Sequence, residues 1–180
     1  MNLFRPKTES PRLERLRHLS LFVHLTPAEL RIIDGLLHER DYLEGEIIFD
    51  EGEEGQAIYI IAKGEVLICR QAQPHGSRAA APGQNGHGAP RRRQGDSGRV
   101  AQLGPGTFFG ELALLDDSPR SAQARAASAC QLVVFFRDDF VGLLDTHARI
   151  ASKISRELSR HLGTRMRDMA LATGAYHHLL

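Results

Sequence analysis

The chain has 180 residues, 42% of them hydrophobic, enough for one globular core. Its 23 Lys and Arg against 22 Asp and Glu leave a net charge of +1, which excludes a bulk electrostatic attraction to nucleic acid. No apolar run approaches the roughly 18 residues of a membrane span, and residues 1–11 lack the apolar core of a signal peptide, so a cytoplasmic protein is expected.

After Ser10-Pro11, Leu13, Leu16 and Leu19 form one apolar stripe, predicting a short helix capped by the serine. Thr26-Pro27-Ala28-Glu29 is a stronger start: a threonine cap, a proline in the first turn and a glutamate that reaches back. Leu30, Ile33, Leu36 and Leu37 follow at helical spacing, so this helix is expected to include Leu37.

From Tyr42 to Phe136 the pattern becomes that of strands. Short β-branched or aromatic runs at 47–49, 58–61, 66–69, 100–103 and 132–136 are separated by Gly, Pro, Asp or Asn. Many short strands with frequent turns predict a sandwich or roll. Residues 71–98 contain no Val, Ile, Leu, Met, Phe, Tyr or Trp. Such a segment cannot offset ordering entropy by burial, so a disordered loop inserted between two paired strands is expected. Its Arg91-Arg92-Arg93 reads either as a docking point for an acidic partner or as charge that keeps the loop soluble.

Asp138-Asp139 are expected to cap a short helix carrying Phe140, Val141, Leu143 and Leu144. A longer helix is predicted from about Thr146 to about Thr173, ended by Gly174. Its apolar residues, Ile150, Ile154, Leu158, Leu162, Met166 and Met169, recur mostly in steps of four, so the stripe drifts by about 160° between Ile150 and Met166. The first half is expected to pack on the sheet and the second half to face something else. The organisation expected is a helical lead-in at 1–25, a roll at 26–137 with the insertion at 71–98, and C-terminal helices with a tail at 138–180. Cys69 and Cys130 sit in strand-like runs and read as two small buried thiols. The nine histidines show no ligand spacing, so no metal site is expected.

The segment Phe108-Phe109-Gly110-Glu111-Leu112-Ala113-Leu114-Leu115-Asp116-Asp117-Ser118-Pro119-Arg120-Ser121-Ala122 is the most informative. It reads as a strand end, a glycine, one helical turn, a polar bend and an arginine entering a strand. Glycine permits close approach to the backbone. The first N–H groups of so short a turn can face an anion. Arg120 adds a planar fork of donors suited to phosphate. Glu111 would repel a phosphate, so it is expected to accept from a neutral hydroxyl. Anion donors beside a hydroxyl acceptor suit a sugar phosphate. The alternative is an ordinary Glu111–Arg120 ion pair in a fold without a ligand.

This segment resembles the phosphate-binding cassette of cyclic nucleotide-binding domains, the family of the catabolite activator protein and the regulatory subunit of protein kinase A. The likeness extends upstream to Gly45-Glu46-Ile47-Ile48-Phe49-Asp50-Glu51-Gly52, Gly55, Tyr59-Ile60-Ile61 and Gly64-Glu65-Val66. It implies an α+β fold: an antiparallel β-roll (double-stranded β-helix, jelly-roll-like) flanked by N-terminal helices and a long C-terminal helix. It also implies that Arg120 pairs with a cyclic phosphate and that Glu111 accepts from the ribose 2′-hydroxyl beside Gly110. The Leu112 and Ala113 N–H groups would complete the cradle, and Ser121 would bond to phosphate or base. Val66, Ile68, Val100 and Leu103 would line an apolar slot for the purine, and Tyr176 is a candidate to cap it. Serine after the arginine favours cyclic AMP, with cyclic GMP as the alternative.

No catalytic set accompanies these residues, so binding rather than an enzyme activity is expected. About seven residues follow the long helix, too few for a helix-turn-helix, so direct DNA binding is not expected. The output would pass to a protein partner or to a homodimer through the C-terminal helix. A ligand-free interaction scaffold, or a transcription regulator acting through a partner, are the competing readings.

Overall fold

The computed structural model describes residues 11–70 and 98–172. Ser10, nearly all of the inserted segment and Tyr176 lie outside them.

Two helices open the described residues, α1 (Pro11–Arg17) and α2 (Pro27–Asp34), with a 3-10 turn at Ser20–Phe22 between them. The capping box forms as its residues dictate: the Glu29 N–H donates to Thr26 Oγ1, and the Thr26 N–H donates to Glu29 Oε2 at 2.7 Å. α2 is shorter than its apolar spacing predicted. It stops before Gly35, and Leu37 opens a strand, β1 (Leu37–Tyr42), whose polar sequence hid it.

The remaining strands are β2 (Ile47–Phe49), β3 (Ala57–Lys63), β4 (Val66–Arg70), β5 (Gly98–Leu103), β6 (Phe108–Phe109), β7 (Gln123–Ala126) and β8 (Cys130–Phe136). They form two antiparallel sheets, ordered β1-β8-β3-β6 and β2-β7-β4-β5. This is the α+β antiparallel roll that the resemblance implied. β4 and β5 pair directly, with Arg70 opposite Gly98, so the inserted segment departs from and returns to adjacent positions of one hairpin.

Within the first sheet β3 and β8 are buried on both faces, which is why they read as nearly continuous apolar runs, whereas β1 is mostly exposed. Successive strand residues point to opposite faces. Ile58, Ile60, Val133 and Phe135 face the helices, in a cluster with Phe22, Ile33, Phe140 and Ile154. Ile61, Leu132 and Cys130 face the second sheet, against Phe49, Val66, Ala124 and Ala126. The pair Phe108-Phe109 divides in the same way, Phe108 to the helical layer and Phe109 to the roll interior. Both cysteines are buried and unbridged.

Two helices close the described chain, α3 (Arg137–Thr146) and α4 (Ala148–Ala172). Asp138 and Asp139 are not the cap of α3. The cap position is Phe136, which makes no side-chain cap bond, and the two aspartates lie inside the first turn, where they favour the helix dipole. α4 is about 37 Å long. It buries Ile150, Ala151, Ile154 and Leu158, whereas Met166 and Met169 are exposed. The drifting stripe therefore divides the helix as its spacing predicts.

Candidate functional site

The cassette begins where β6 ends. Gly110 takes the left-handed conformation, φ +72°, and a Cβ there would stand 2.6 Å from Arg120 Nη1. Any side chain at this position would be strained by its backbone and would collide with the guanidinium. A 3-10 turn, Glu111–Leu114, follows. Gly55 presses on it so closely that a Cβ would meet the Ala113 Cβ at 2.9 Å. The polar bend is an Asx turn, with the Ser118 N–H donating to Asp116 Oδ1 at 3.0 Å. Arg120 is then pinned by its backbone: its N–H donates to the Glu53 carbonyl, and its carbonyl accepts from the Gly52 N–H.

The Arg120 side chain turns inward and is 8% exposed. Nη1 donates to the Gly110 carbonyl at 3.1 Å and Nη2 to the Ala57 carbonyl at 2.9 Å. Nε is buried with no hydrogen-bond partner. The guanidinium lies 4.1 Å from the Phe49 ring centroid and 5.6 Å from that of Tyr59, within cation–π range. Phe109 completes this aromatic wall, stacked on Tyr59 at 5.5 Å. Burial pushes the Arg120 pKa down, opposed by Tyr59, Glu53 and Glu111. Burial likewise pushes the Tyr59 hydroxyl up. Among the described residues no carboxylate forms an ion pair with Arg120, so the simple Glu111–Arg120 pair is not what forms.

Glu111 is buried as well, and its partner comes from the C-terminal helix. Arg165 Nη1 donates to Glu111 Oε1 at 2.8 Å. One turn earlier on α4, the His161 ring lies 4.3 Å from Phe108, and burial lowers its pKa. His161 Nε2 is also buried without a partner.

Gly110, Glu111, Leu112, Ala113 and Arg120 are thus brought together. The Ala113 N–H already donates to the Gly110 carbonyl at 3.2 Å, so it enters a cradle only by sharing that bond. Leu112 is exposed and Ala113 is buried. Ser121 is exposed beside the arginine, and its carbonyl accepts from Arg70 Nε at 3.4 Å. Val66 pairs with Leu103, and Ile68 with Ala101, on the inward face of the second sheet. Val66 is fully buried, while Ile68 and Leu103 are half-buried at the edge of that cluster. Val100 is not with them. It alternates with Ala101 on β5 and is 55% exposed, so the register takes it off the inward face. Phe49, Tyr59 and Phe109 stand in the resembling segments without a role in the site, and Arg165 and His161 stand outside those segments. Only the packing of α4 on the cassette reveals the last two.

Residues 88–147 match the family model described as the cyclic nucleotide-binding domain. The cyclic AMP receptor protein of Thermus thermophilus is 32% identical over 142 residues, covering 79% of this chain and 56% of that one. A cAMP-dependent protein kinase regulatory subunit of Mycosarcoma maydis is 28% identical over 148 residues, covering 82% of this chain and 22% of that protein. The crystal structure of the Thermus thermophilus catabolite activator protein matches with a TM-score of 0.67 and 30% identity, over 88% of this chain and 63% of that one. The chain spans little more than half the length of the Thermus receptor protein and about a fifth of the kinase subunit. With the roll, the glycine-led turn and the buried arginine of the cassette in place, residues 88–147 are those of a cyclic nucleotide-binding domain, and the chain is similar to proteins of that family over most of its length.

Proposed function

We propose that this protein is a cytoplasmic receptor for a cyclic mononucleotide, cyclic AMP before cyclic GMP, that signals through its C-terminal helix. Arg120 takes the cyclic phosphate, and Glu111 accepts from the ribose hydroxyl beside the Gly110 backbone. Leu112, Ala113 and Ser121 border the phosphate, and Val66, Ile68 and Leu103 form the apolar wall for the base. These are binding groups, and the reading assigns no catalysis. The output passes to a protein partner or to a second copy of the chain.

The observation that carries this reading is the Arg120 guanidinium, buried, unpaired with any described carboxylate, and with Nε unsatisfied. Burying a charge without a counter-charge is costly. An anion entering here recovers part of that cost, and a cyclic phosphate is an anion joined to the hydroxyl-bearing sugar that Glu111 suits. The relatives that support cyclic AMP carry it in their names. One observation favours the scaffold reading instead: both Nη atoms already hold backbone carbonyls, a structural use of the same side chain.

A thermal-shift panel of cyclic AMP, cyclic GMP and cyclic dinucleotides separates the two. Ligand at one hundred times its Kd should stabilise the fold by about 2.7 kcal/mol. For a chain of this size that is a Tm rise of roughly 5–11 °C. No shift with millimolar cyclic mononucleotide would leave the scaffold.

A further inference from the structure

Glu111 and Arg165 form an unequal pair: the Glu111 side chain is 6% exposed and that of Arg165 46%. A carboxylate so deeply placed needs a compensating cation. Arg120 attracts it only at longer range and forms no ion pair with it, its Nη1 and Nη2 donating to the Gly110 and Ala57 carbonyls. The compensation comes from α4, beyond the point where that helix leaves the core at Leu158. His161 and Arg165 are four residues apart and therefore share a helix face. Their two contacts land on Phe108 and Glu111, at either side of Gly110.

We propose that Arg165 is a positioning residue for ribose recognition, so that docking of the distal part of α4 completes the sugar subsite. This rests on reading the cassette as a cyclic-nucleotide site. Arg165 takes one carboxylate oxygen, and the second oxygen is the acceptor for a hydroxyl. The alternative, that ribose displaces Arg165, is disfavoured by magnitude. Removing the partner of a buried charge costs more than a neutral hydroxyl returns by bonding to it. Without Arg165 the carboxylate turns toward water, and drawing it back inside is a cost set against ribose binding. The coupling is reciprocal, so a bound ribose also strengthens the docking of α4.

The experiment is calorimetry on the full chain with cyclic AMP and 2′-deoxy cyclic AMP. The parent protein should prefer the ribose form. Arg165→Gln should weaken cyclic AMP about tenfold and leave the 2′-deoxy analogue within about twofold, about 1.4 kcal/mol of coupling. Arg165→Lys, which keeps the charge, should restore a large part of the preference. Arg120→Ala should weaken both ligands alike. Equal losses for both ligands in Arg165→Gln would reduce Arg165 to a structural role, and tighter cyclic AMP binding would make it a competitor. Either result overturns the proposal while leaving the site intact. A parent protein that binds neither ligand overturns the site reading and this proposal with it.

Discussion

The two halves of α4 are one continuous helix held by different physics. The proximal half is fixed by apolar burial, with Ile154 and Leu158 wholly enclosed. An ion pair reinforces it, Lys153 with Glu29 at 2.6 Å, and Glu157 Oε1 lies 3.0 Å from the His24 ring, both contacts reaching back to the N-terminal segment. The distal half has its largest apolar residues in solvent, and its described links to the cassette are one polar and one tilted ring contact, Arg165 on Glu111 and His161 on Phe108. Burial of alkyl groups is insensitive to what occupies a neighbouring site. A contact made through a carboxylate proposed to face the ligand is not, so on that proposal the same helix combines an anchor with an element that responds.

The largest effect should come from breaking the anchor. Ile154→Ala removes a fully buried side chain and should cost about 2–5 kcal/mol in urea unfolding. Met166→Ala, 71% exposed, should stay within about 0.5 kcal/mol. Comparable losses at both positions would mean that the distal half is packed against something after all.

Next in size is the cassette. Arg120→Ala should weaken cyclic AMP by at least roughly thirtyfold, as removal of a buried charge partner costs about 2 kcal/mol or more. Glu111→Ala should weaken it less, because a bond to a neutral hydroxyl is lost, and should narrow the preference over the 2′-deoxy analogue. Calorimetry on the two variants checks both. A larger loss at Glu111 than at Arg120 would reverse the assignment of phosphate and sugar.

Much of this was legible because local chemistry spoke directly. The capping box at Thr26 and the β-branched runs of β3 and β8 form where their residues predicted. Gly110 and Arg120 were marked by a motif whose residues are needed within one short segment. β1 was not legible, because Leu-His-Glu-Arg-Asp-Tyr presents mostly polar residues, and its strand form comes from pairing with β8. Leu37 fell to tertiary context in the same way, since its helical spacing was real but Gly35 intervened. Val100 failed for a different reason. A bulge in the β4–β5 ladder and the two-residue period decide which face a strand residue takes, and composition does not carry register. Arg165 was one arginine among several on a basic helix, and a contact 54 residues away in sequence leaves no local trace.

Acidification sharpens the contrast between the halves. His161 sits against Phe108, and burial, aided by the Arg165 charge, outweighs the opposing pull of Glu111 to lower its pKa from 6.5. The native state therefore binds fewer protons than the unfolded one in the window just below that value. Its contribution to stability is full above pH 6.5 and is lost as pH falls through the window to the lowered value. Urea unfolding between about pH 7.5 and about pH 5.5 should show a slope that His161→Phe reduces, since phenylalanine keeps the ring contact and cannot titrate. An unchanged slope in the variant would assign the pH response to other groups.

The smallest effect should come from a region that belongs to neither half. Arg70 and Gly98 are register partners at the open end of the β4–β5 hairpin. Replacing residues 71–97 by a short Gly-containing turn therefore joins two neighbouring positions without moving either strand. The excised residues include no large apolar side chain to withdraw from the core. Shortening a loop also changes closure entropy only slowly with length. Tm and cyclic AMP affinity should both stay close to those of the parent, read by thermal unfolding and calorimetry. A drop in affinity with Tm unchanged would be the informative failure. It would give the arginine-bearing segment a part in binding, and the comparison would then need three regions, with the anchor and the responsive helix end joined by a loop that reaches the ligand.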